Sequence, residues 1–320
     1  MPSLTKLPAA GVVLGACLAC TLCQAQSLVP RAYVITPTSS NAVILTYSFY
    51  DGSVLFNGAV PITGATTRVN VQIFSYYHAF NFFRRSANIV ASLPYGIGHY
   101  QGKVVGVERE AYRSGLLDAE FRFSVNLKGG PAMSLEEFRS WRQKLLIGTS
   151  LTVVTPTGQY YPTRLINWGS NRWAFKPEFG LSRRWGNWLV DGYAGVWLYT
   201  TNAEFFSHNR FFPGTRTQSE APVGALEAHL SYDVKPRFWV SLDGNYWYGG
   251  RTSLNGVENA ITLQANSRIG ATASIPVTKL QSLKFSYSYG AIVRFGGNYQ
   301  NVSVAWQYGW LGRRAGNTLP

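Results

Sequence analysis

Residues 225–234, with the sequence ALEAHLSYDV, alternate strictly between apolar and polar side chains. Successive side chains of a strand lie on opposite faces, so Leu226 and Leu230 point one way and Glu227 and His229 the other. A single strand of this kind fits a soluble sandwich as well as a membrane barrel. The alternation recurs along most of the chain, however, without the helices that would cover so many apolar faces. The repetition predicts an all-β fold, a transmembrane antiparallel β-barrel that is apolar outside and polar inside.

Roughly twelve alternating runs separated by turn signals can be counted, and an even number is what a single-chain bacterial barrel requires. Short connections follow the second, sixth, eighth and tenth runs, whereas long connections follow the first, third, fifth, seventh and ninth. Short periplasmic turns and long external loops are typical of outer-membrane barrels, so this order places both termini in the periplasm. The predicted strands are 42–50, 69–79, 86–94, 118–127, 145–155, 173–183, 188–200, 223–234, 238–249, 262–275, 282–294 and 300–310.

Two connections depart from the alternation of short turns and long loops. Residues 128–144 are long where a periplasmic turn is expected, and residues 295–299 are short where an external loop is expected. Ser134 precedes Glu137 by three residues, which is the spacing of a helix capping box. A short periplasmic helix is therefore predicted within the first of these connections.

The composition favours a membrane protein over a cytosolic enzyme. Charged residues make up 14% of the chain and aromatic residues 15%, whereas soluble domains carry roughly 25% charged residues. Beyond the N-terminal stretch there is no uninterrupted run of about 18 apolar residues, so a membrane-spanning helix is not predicted. We expect one monomeric outer-membrane barrel over residues 42–310, followed by a C-terminal tail over residues 311–320.

The N-terminus has the features of a secretory signal peptide over residues 1–25. A basic start is followed by an apolar stretch and by small residues that suit cleavage after Ala25. The alternative is a lipobox that would leave Cys17 as a lipidated N-terminus. All three cysteines lie within the signal, so cleavage after Ala25 leaves a chain without disulfides, thiolate chemistry or cysteine metal ligands. Residues 26–41 are then expected to form an N-terminal periplasmic segment.

The formal net charge is +14, which raises nucleic acid or an anionic membrane surface as a partner. The chain has no Lys/Arg run and no basic helix with interleaved aromatic residues, which argues against nucleic acid. Basic pairs such as Arg84-Arg85 lie at predicted strand ends, where they would contact lipid head groups. The last predicted strand ends in the sequence WQYGW at residues 306–310, which resembles the terminal strand used by the outer-membrane assembly machinery. Outer-membrane lipid and that machinery are therefore the expected macromolecular partners.

The predicted inner wall carries charges of both signs. Charges in a narrow lumen need partners, so many of them should pair across neighbouring strands. The wall would then serve as a selectivity lining or as a polar core that fixes the barrel, and its mixed sign predicts no strong anion or cation selectivity. The pore-lining candidates are Asp118, Glu120, Arg122, Lys176, Glu178, Asp191, Glu227, His229, Asp233, Asp243, Arg268 and Lys284.

His229 and Ser231 share one face of a predicted strand and resemble the His-x-Ser pair of an outer-membrane phospholipase. A serine nucleophile needs a histidine base within hydrogen-bond reach and a third group that orients the base. The alternation turns this pair toward the lumen, whereas a lipid-cleaving site must face the bilayer. Lipid hydrolysis is therefore a remote alternative, and the chain is expected not to be an enzyme. The other histidines show no metal-ligand spacing, so neither a metal site nor a cofactor is expected.

Aromatic residues are concentrated in two of the predicted external loops. Exposed aromatic side chains at a barrel mouth can capture apolar solutes. They can also belong to the interfacial aromatic girdle of an outer-membrane barrel. The candidates are Tyr160, Tyr161, Trp168, Phe205, Phe206, Phe211 and Phe212.

Residues 156–160, PTGQY, and residues 165–178, LINWGSNRWAFKPE, resemble a family of outer-membrane proteins linked with the meta-cleavage pathway of phenol degradation. The similarity extends to NLKGGP at residues 126–131 and to YGG at residues 248–250. The resemblance implies an outer-membrane barrel that admits aromatic or hydrocarbon compounds, and it supplies no catalytic residues. Arg172 lies where the long loop meets the next strand, where it could bind loop carbonyls or pair with a lumen carboxylate.

The leading functional hypothesis is passive uptake of small apolar or aromatic compounds, such as phenol or hydrocarbons, across the bacterial outer membrane. Mouth aromatics would capture the solute, which would then diffuse through the lumen or leave laterally between strands. The alternative is a structural or adhesive barrel whose lumen is plugged.

Overall fold

The computed structural model describes residues 28–55, 62–104, 106–210 and 212–312. The predicted signal peptide with Cys17, the aromatic candidate Phe211 and the tail beyond residue 312 lie outside the described residues. The strands are β1 (Ser40–Leu55), β2 (Ile62–Phe82), β3 (Arg85–Val104), β4 (Val107–Leu116), β5 (Glu120–Lys128), β6 (Leu145–Val154), β7 (Ala174–Trp185), β8 (Trp188–Tyr199), β9 (Gln218–Glu220), β10 (Val223–Lys235), β11 (Phe238–Gly249), β12 (Thr252–Leu254), β13 (Val257–Asn259), β14 (Gln264–Pro276), β15 (Gln281–Ile292) and β16 (Gly296–Leu311).

The long strands form a closed antiparallel sheet with twelve strand positions, which confirms the predicted fold class. The first and last strands, β1 and β16, pair from Ser40 with Leu311 to Leu55 with Gly296, and this pairing closes the cylinder. Each of the twelve predicted runs overlaps a different one of these strands, and several runs extend one or two residues past the strand end. The last strand includes Leu311, so the tail begins one residue later than expected.

The strand β4 was not predicted, because residues 95–117 had been assigned to a long external loop. It pairs with the far half of β3, from Tyr95 with Leu116 to Val104 with Val107. The near half of β3 pairs with β5 instead, so β4 and β5 share one position in the cylinder. The sequence VEREAYRSGL of β4 is too polar to show a clean alternation, and its strand form depends on hydrogen bonds to β3.

Short connections join the strands at one end of the barrel, which we call the turn end, and longer ones join them at the loop end. Between β2 and β3 the two turn residues Phe83 and Arg84 both have positive φ, 48° and 66°, as a type I′ hairpin turn requires. The long connection between β5 and β6 contains the predicted helix, α1 (Leu135–Ser140). Its capping box is formed, because Ser134 Oγ accepts from Glu137 N–H and the Glu137 carboxylate accepts from Ser134 N–H.

The alternation of side chains follows the predicted faces. In β10, Leu226 is 58% exposed on the outer surface, whereas the inward His229 is 2% exposed. Leu242 of the next strand is 67% exposed on the same outer surface. The outside of the cylinder is therefore an apolar band, and the polar residues face the interior. None of the helices in the described residues is long and apolar enough to span a membrane.

Two loop connections at the loop end carry a second, small sheet. It consists of β9, β12 and β13, with β12 in the centre. This small sheet lies over the barrel and joins the loop over residues 200–222 to the one over residues 250–263. The two loops are therefore connected by backbone pairing and are not independent of each other.

Candidate functional site

The described part of the N-terminal segment, residues 28–39, runs inside the barrel. Arg31 N–H donates to the Asp191 carboxylate (3.1 Å), and Ala32 N–H donates to Tyr193 Oη (3.0 Å). An N-terminal periplasmic segment is expected over residues 26–41, and these contacts place its residues 31 and 32 against the inner wall. The reason is electrostatic, because inward carboxylates need donors that neighbouring strands do not all supply.

Tyr33 is the centre of this internal segment. Its ring is 1% exposed, and its hydroxyl lies 3.0 Å from both Ser150 Oγ and Glu178 Oε1. The wall is shaped to receive the ring, because a Cβ on Gly180 would lie 2.1 Å from Tyr33 Cε2 and one on Gly148 would lie 2.5 Å from Tyr33 Cδ1. We refer to residues 28–39 as the plug segment.

Charged side chains of the wall hold the plug segment at the turn end. Arg31 Nη1 lies 2.7 Å from Asp233 Oδ1, and Asp233 also pairs with Arg184 of β7. The Arg31 guanidinium stacks over the Trp239 ring, 4.3 Å from its centroid. Arg31 therefore links the plug segment to three strands of the wall.

The other ion pairs form one network across neighbouring strands. Lys176 Nζ lies 2.6 Å from Glu178 and 3.1 Å from Glu227, and Arg122 lies 3.6 Å from Glu178. His229 extends the network, because its Nε2 lies 3.6 Å from Glu227 and its Nδ1 lies 2.9 Å from Asp243. Most of the charge on this side of the interior is thus matched within the wall, and Glu120 faces inward beside it.

Arg268 and Lys284 lie on β14 and β15, the two strands that follow β11 in the sheet. Arg268 donates to the carbonyls of Ser288 (3.2 Å) and Tyr299 (3.0 Å), and its guanidinium stacks on the Tyr299 ring at 4.2 Å. Lys284 has no ion pair with a described residue. The inward carboxylates of the ion-pair network thus lie between β5 and β11, whereas the next two strands carry the cations Arg268 and Lys284.

Asp118 differs from the other pore-lining candidates, because it lies between β4 and β5 and holds an external loop. Its carboxylate accepts from Gly158 N–H (2.8 Å), from Ser170 N–H (2.8 Å) and from Ser170 Oγ (2.5 Å). The loop over residues 155–173 is thereby drawn into the loop end of the barrel. There Trp168 packs on the inner faces of β2 and β3, where a Cβ on Gly96 would lie 2.6 Å from its ring.

Arg172 pairs with the carboxylate of Glu220, the last residue of β9 in the small sheet at the loop end. Its Nη2 lies 2.5 Å from Glu220 Oε2, and the two side chains are 4% and 2% exposed. The guanidinium also lies over the Tyr199 ring at 4.3 Å. Of the two partners proposed for Arg172, a carboxylate is present, but it belongs to β9 and not to the predicted wall.

The aromatic residues of the loops are mostly buried, so they do not form the exposed capture surface that we expected. Trp168, Phe205 and Phe206 are all below a tenth exposed. The two phenylalanines pack with Leu254, Leu165 and Phe212 in a core between the loops. Tyr160 binds Asn202 and the Glu204 carbonyl through its hydroxyl, and Tyr161 alone of these candidates is more than a third exposed among the described residues. The loops pack on one another, and this buries the aromatic rings.

Arg216 lies in the same loop core. Its guanidinium is 3.9 Å from the centroid of the Phe212 ring and 5.7 Å from that of Phe205. Its three nitrogens have no hydrogen-bond partner in the described part of the chain. Burial therefore lowers the pKa of this guanidinium.

Two cavities remain beside the plug segment and the loops. The first, of about 100 Å³, lies at the loop end between β2, β3, β4 and the loop that carries Leu165 and Ile166. The second, of about 180 Å³, lies in the lumen between β1 and the strands β11, β14, β15 and β16. Among the residues of the first cavity are Val54, Ala65, Tyr100, Ala111 and Ile166. Apolar side chains dominate the first cavity and hydroxyl groups the second.

His229 and Ser231 both face the interior and are nearly fully buried. His229 Nδ1 contacts Asp243, whereas Ser231 Oγ and His229 Nε2 have no hydrogen-bond partner within the described residues. The pair thus lacks the hydrogen bond between nucleophile and base, and it faces away from the bilayer. In the residues that the structure describes, no group of three or more histidine, cysteine or acidic side chains could hold a metal ion.

Sequence reasoning missed the residues that occupy the lumen, Arg31 and Tyr33, and the loop carboxylate Glu220. The one available signal was glycine at inward positions of two neighbouring strands, Gly148 and Gly180. Glycine within a strand often marks the close approach of another group.

A family model described as "Putative MetA-pathway of phenol degradation" matches residues 40–308. Among solved structures, an outer membrane channel from Pseudomonas putida F1 aligns with a TM-score of 0.71 and 15% identity, covering 89% of this chain and 100% of that one. The transport unit of the autotransporter AIDA-I from Escherichia coli aligns with a TM-score of 0.50 and 11% identity, covering 91% and 94%. At these identities the structural similarities bear on the fold alone. A comparison with curated proteins gives no match.

Proposed function

Because the chain belongs to the family described as the MetA-pathway of phenol degradation, we propose that it is a bacterial outer-membrane channel for small apolar and aromatic compounds. Transport would be passive, with the solute diffusing down its concentration gradient. The proposal places the loop end outside the cell and the turn end in the periplasm.

The observation that carries this proposal is the apolar cavity at the loop end. It lies where a solute from outside first meets the barrel, and it is bounded by Val54, Ala65 and Ala111. Pockets that bind small molecules are typically concave and mostly apolar. We therefore assign solute capture to this cavity and not to the aromatic residues of the loops, because most of those aromatic side chains are buried between the loops.

Two routes lead onward from this cavity. One follows the lumen past the plug segment, where the hydroxyl-lined cavity offers the remaining space. The other leaves laterally beside β4, which has only β3 as a ladder partner among the described strands. A strand with one unpaired edge is a weak point in an otherwise continuous wall. An apolar solute suits the lateral route, because it enters lipid directly.

The alternative of a plugged structural barrel also has an observation in its favour, since the plug segment crosses the lumen and is held by Tyr33 and Arg31. A sealed barrel and a lateral channel both predict a low ionic conductance. Solute uptake separates them, because only the channel accelerates the passage of aromatic compounds.

Uptake of radiolabelled toluene by intact cells tests the proposal. The comparison uses a deletion strain that carries the wild-type gene, Ala111→Trp or Ser114→Trp. Ala111 lines the cavity, whereas Ser114 is exposed on the opposite face of the same strand. We expect Ala111→Trp to lower the uptake rate toward that of the deletion strain and Ser114→Trp to match the wild type. Uptake that is unaffected by deletion of the gene overturns the proposal.

A further inference from the structure

Among the described residues, no carboxylate lies within ion-pair distance of the Lys284 ammonium, and Asp243 acts on it from farther away. Lys284 lies on the inward face of β15, since its neighbours Phe285 and Tyr287 are exposed on the outer surface. The ion pairs of the interior lie on the strands from β5 to β11, and none of those within the described residues includes Lys284. An inward cation without a close ion pair favours the binding of an anion.

Asp243 lies on β11, separated from the strand of Lys284 only by β14, and it is the carboxylate that acts electrostatically on Lys284. Both of its oxygens already accept hydrogen bonds. Oδ1 accepts from His229 Nδ1 (2.9 Å) and from Ser241 Oγ (2.9 Å), and Oδ2 accepts from Thr272 Oγ1 (2.7 Å). These three donors belong to β10, β11 and β14, so they hold the carboxylate close to the strands that flank it. The position of Asp243 is therefore fixed by contacts other than Lys284.

The cavity in front of Lys284 has room for a small organic molecule, with a volume of about 180 Å³. On the side of Lys284, hydroxyl groups of Ser286 and Ser303 line it and could donate further hydrogen bonds. Toward β1 and β2 the lining includes Ile73 and Tyr50 beside the hydroxyls of Thr46 and Ser48. The Tyr50 ring meets the Tyr299 ring edge-on at 5.3 Å. The cavity thus offers a cation and hydroxyl donors together with aromatic surface.

We propose that this cavity is a binding site for small aromatic carboxylates, with the carboxylate on Lys284 and the ring against Tyr50 and Ile73. A hydrogen bond between an ammonium and a carboxylate is stronger than one between neutral groups. A neutral aromatic compound fills the same space but leaves the ammonium unpaired. The inference rests on the proposed channel function. It narrows the solute class of the channel, since this cavity would favour anions that carry an aromatic ring.

Calorimetric titration of the purified full-length mature protein in detergent tests the site. The ligands are sodium benzoate and its neutral counterpart benzyl alcohol, and the variants are Lys284→Gln, Lys284→Arg and Lys279→Gln. Lys279 is a matched control, because it lies in the exposed turn between β14 and β15. Heat-modifiable migration on gels verifies that each variant forms a barrel.

We expect the wild type and Lys279→Gln to bind benzoate more tightly than benzyl alcohol. Lys284→Gln should lose about tenfold or more in benzoate affinity, whereas Lys284→Arg should retain most of it, because a charge-assisted hydrogen bond is lost only in the first case. Equal benzoate affinities in Lys284→Gln and the wild type overturn the proposal. If Lys284→Gln does not fold, the wild-type comparison of the two ligands decides, and equal affinities again overturn it.

The titration also separates this site from the channel function. Benzoate binding that depends on Lys284, in a protein whose deletion leaves toluene uptake unchanged, supports the site and rejects the channel. Toluene uptake that depends on the protein, without benzoate binding by the wild type, rejects the site and leaves the channel standing.

Discussion

The hydroxyl of Tyr33 lies 3.0 Å from the carboxylate of Glu178, so a residue that precedes the first strand is bound to the middle of β7. Glu178 also faces Lys176 and Arg122, which places the tyrosine at the edge of the main ion-pair network. The plug segment is thus connected to the polar wall through one aromatic side chain. Its retention in the lumen depends on a small number of identifiable contacts.

Tyr33→Ala should open the lumen. The substitution removes a buried ring and leaves Glu178 with one donor fewer, which together cost about 3 kcal/mol or more. Single-channel recording in planar bilayers should show a higher conductance than the wild type. Tyr47→Ala is the matched control, because Tyr47 is exposed on the outer surface and donates only to Asn70. A conductance equal to that of the wild type would show that Tyr33 does not retain the plug.

Gly180→Ala should have the same effect without altering the plug segment itself. The added Cβ would lie 2.1 Å from the Tyr33 ring, so the ring must move away from the wall. Gly192→Ala is the control, because a Cβ there has no atom within 4 Å. We expect a raised conductance in the first variant and an unchanged one in the second, and the hypothesis fails if both behave alike.

Arg172→Met should destabilise the loop end strongly. Removing one partner of a buried ion pair leaves the other charge unpaired, at a cost of about 3–5 kcal/mol. Limited proteolysis should then cut the loop over residues 200–222 faster than in the wild type. Arg251→Gln is the comparison, because its pair with Glu258 is roughly half exposed and is expected to contribute below about 1 kcal/mol. Similar cleavage rates in both variants would contradict the assigned role of the Arg172–Glu220 pair.

We expect neither the wild type nor Ser231→Ala to hydrolyse phospholipids. Ser231 Oγ has no hydrogen bond to His229 and lies inside the barrel, where a phospholipid ester cannot reach it. The measurement is release of fatty acid from phospholipid vesicles by the purified protein and by the variant. An activity in the wild type that disappears in Ser231→Ala would revive the hydrolase alternative.

The alternation of side chains was sufficient to predict the cylinder and the direction of its faces. Leu226 lies outside and His229 inside, as the pattern of β10 predicts, because lipid and lumen select opposite side chains at every second residue. The strand β4 was not predicted, because its polar sequence lacks the alternation of apolar and polar residues that contact with lipid imposes on the other strands. Charges such as Glu108 and Arg109 interrupt the period there.

The contents of the lumen could not be predicted in the same way. The plug segment has no period, and its position follows from individual contacts such as that between Arg31 and Asp233. The buried state of Phe205 and Trp168 also depends on which loops meet, and a single loop sequence does not contain that information. Local patterns therefore predicted the strands of the wall, whereas the residues that fill the lumen could be identified only from the three-dimensional structure.

The plug segment joins the barrel at β1, one of the two strands that form the closing seam. Its described residues precede β1 in the chain. The ladder of the barrel includes no residue of the segment, because β1 begins at Ser40. Withdrawal of the segment would consequently break contacts such as that between Tyr33 and Glu178 without breaking the pairing of β1 with β16, so separate contacts set the width of the passage and the integrity of the wall.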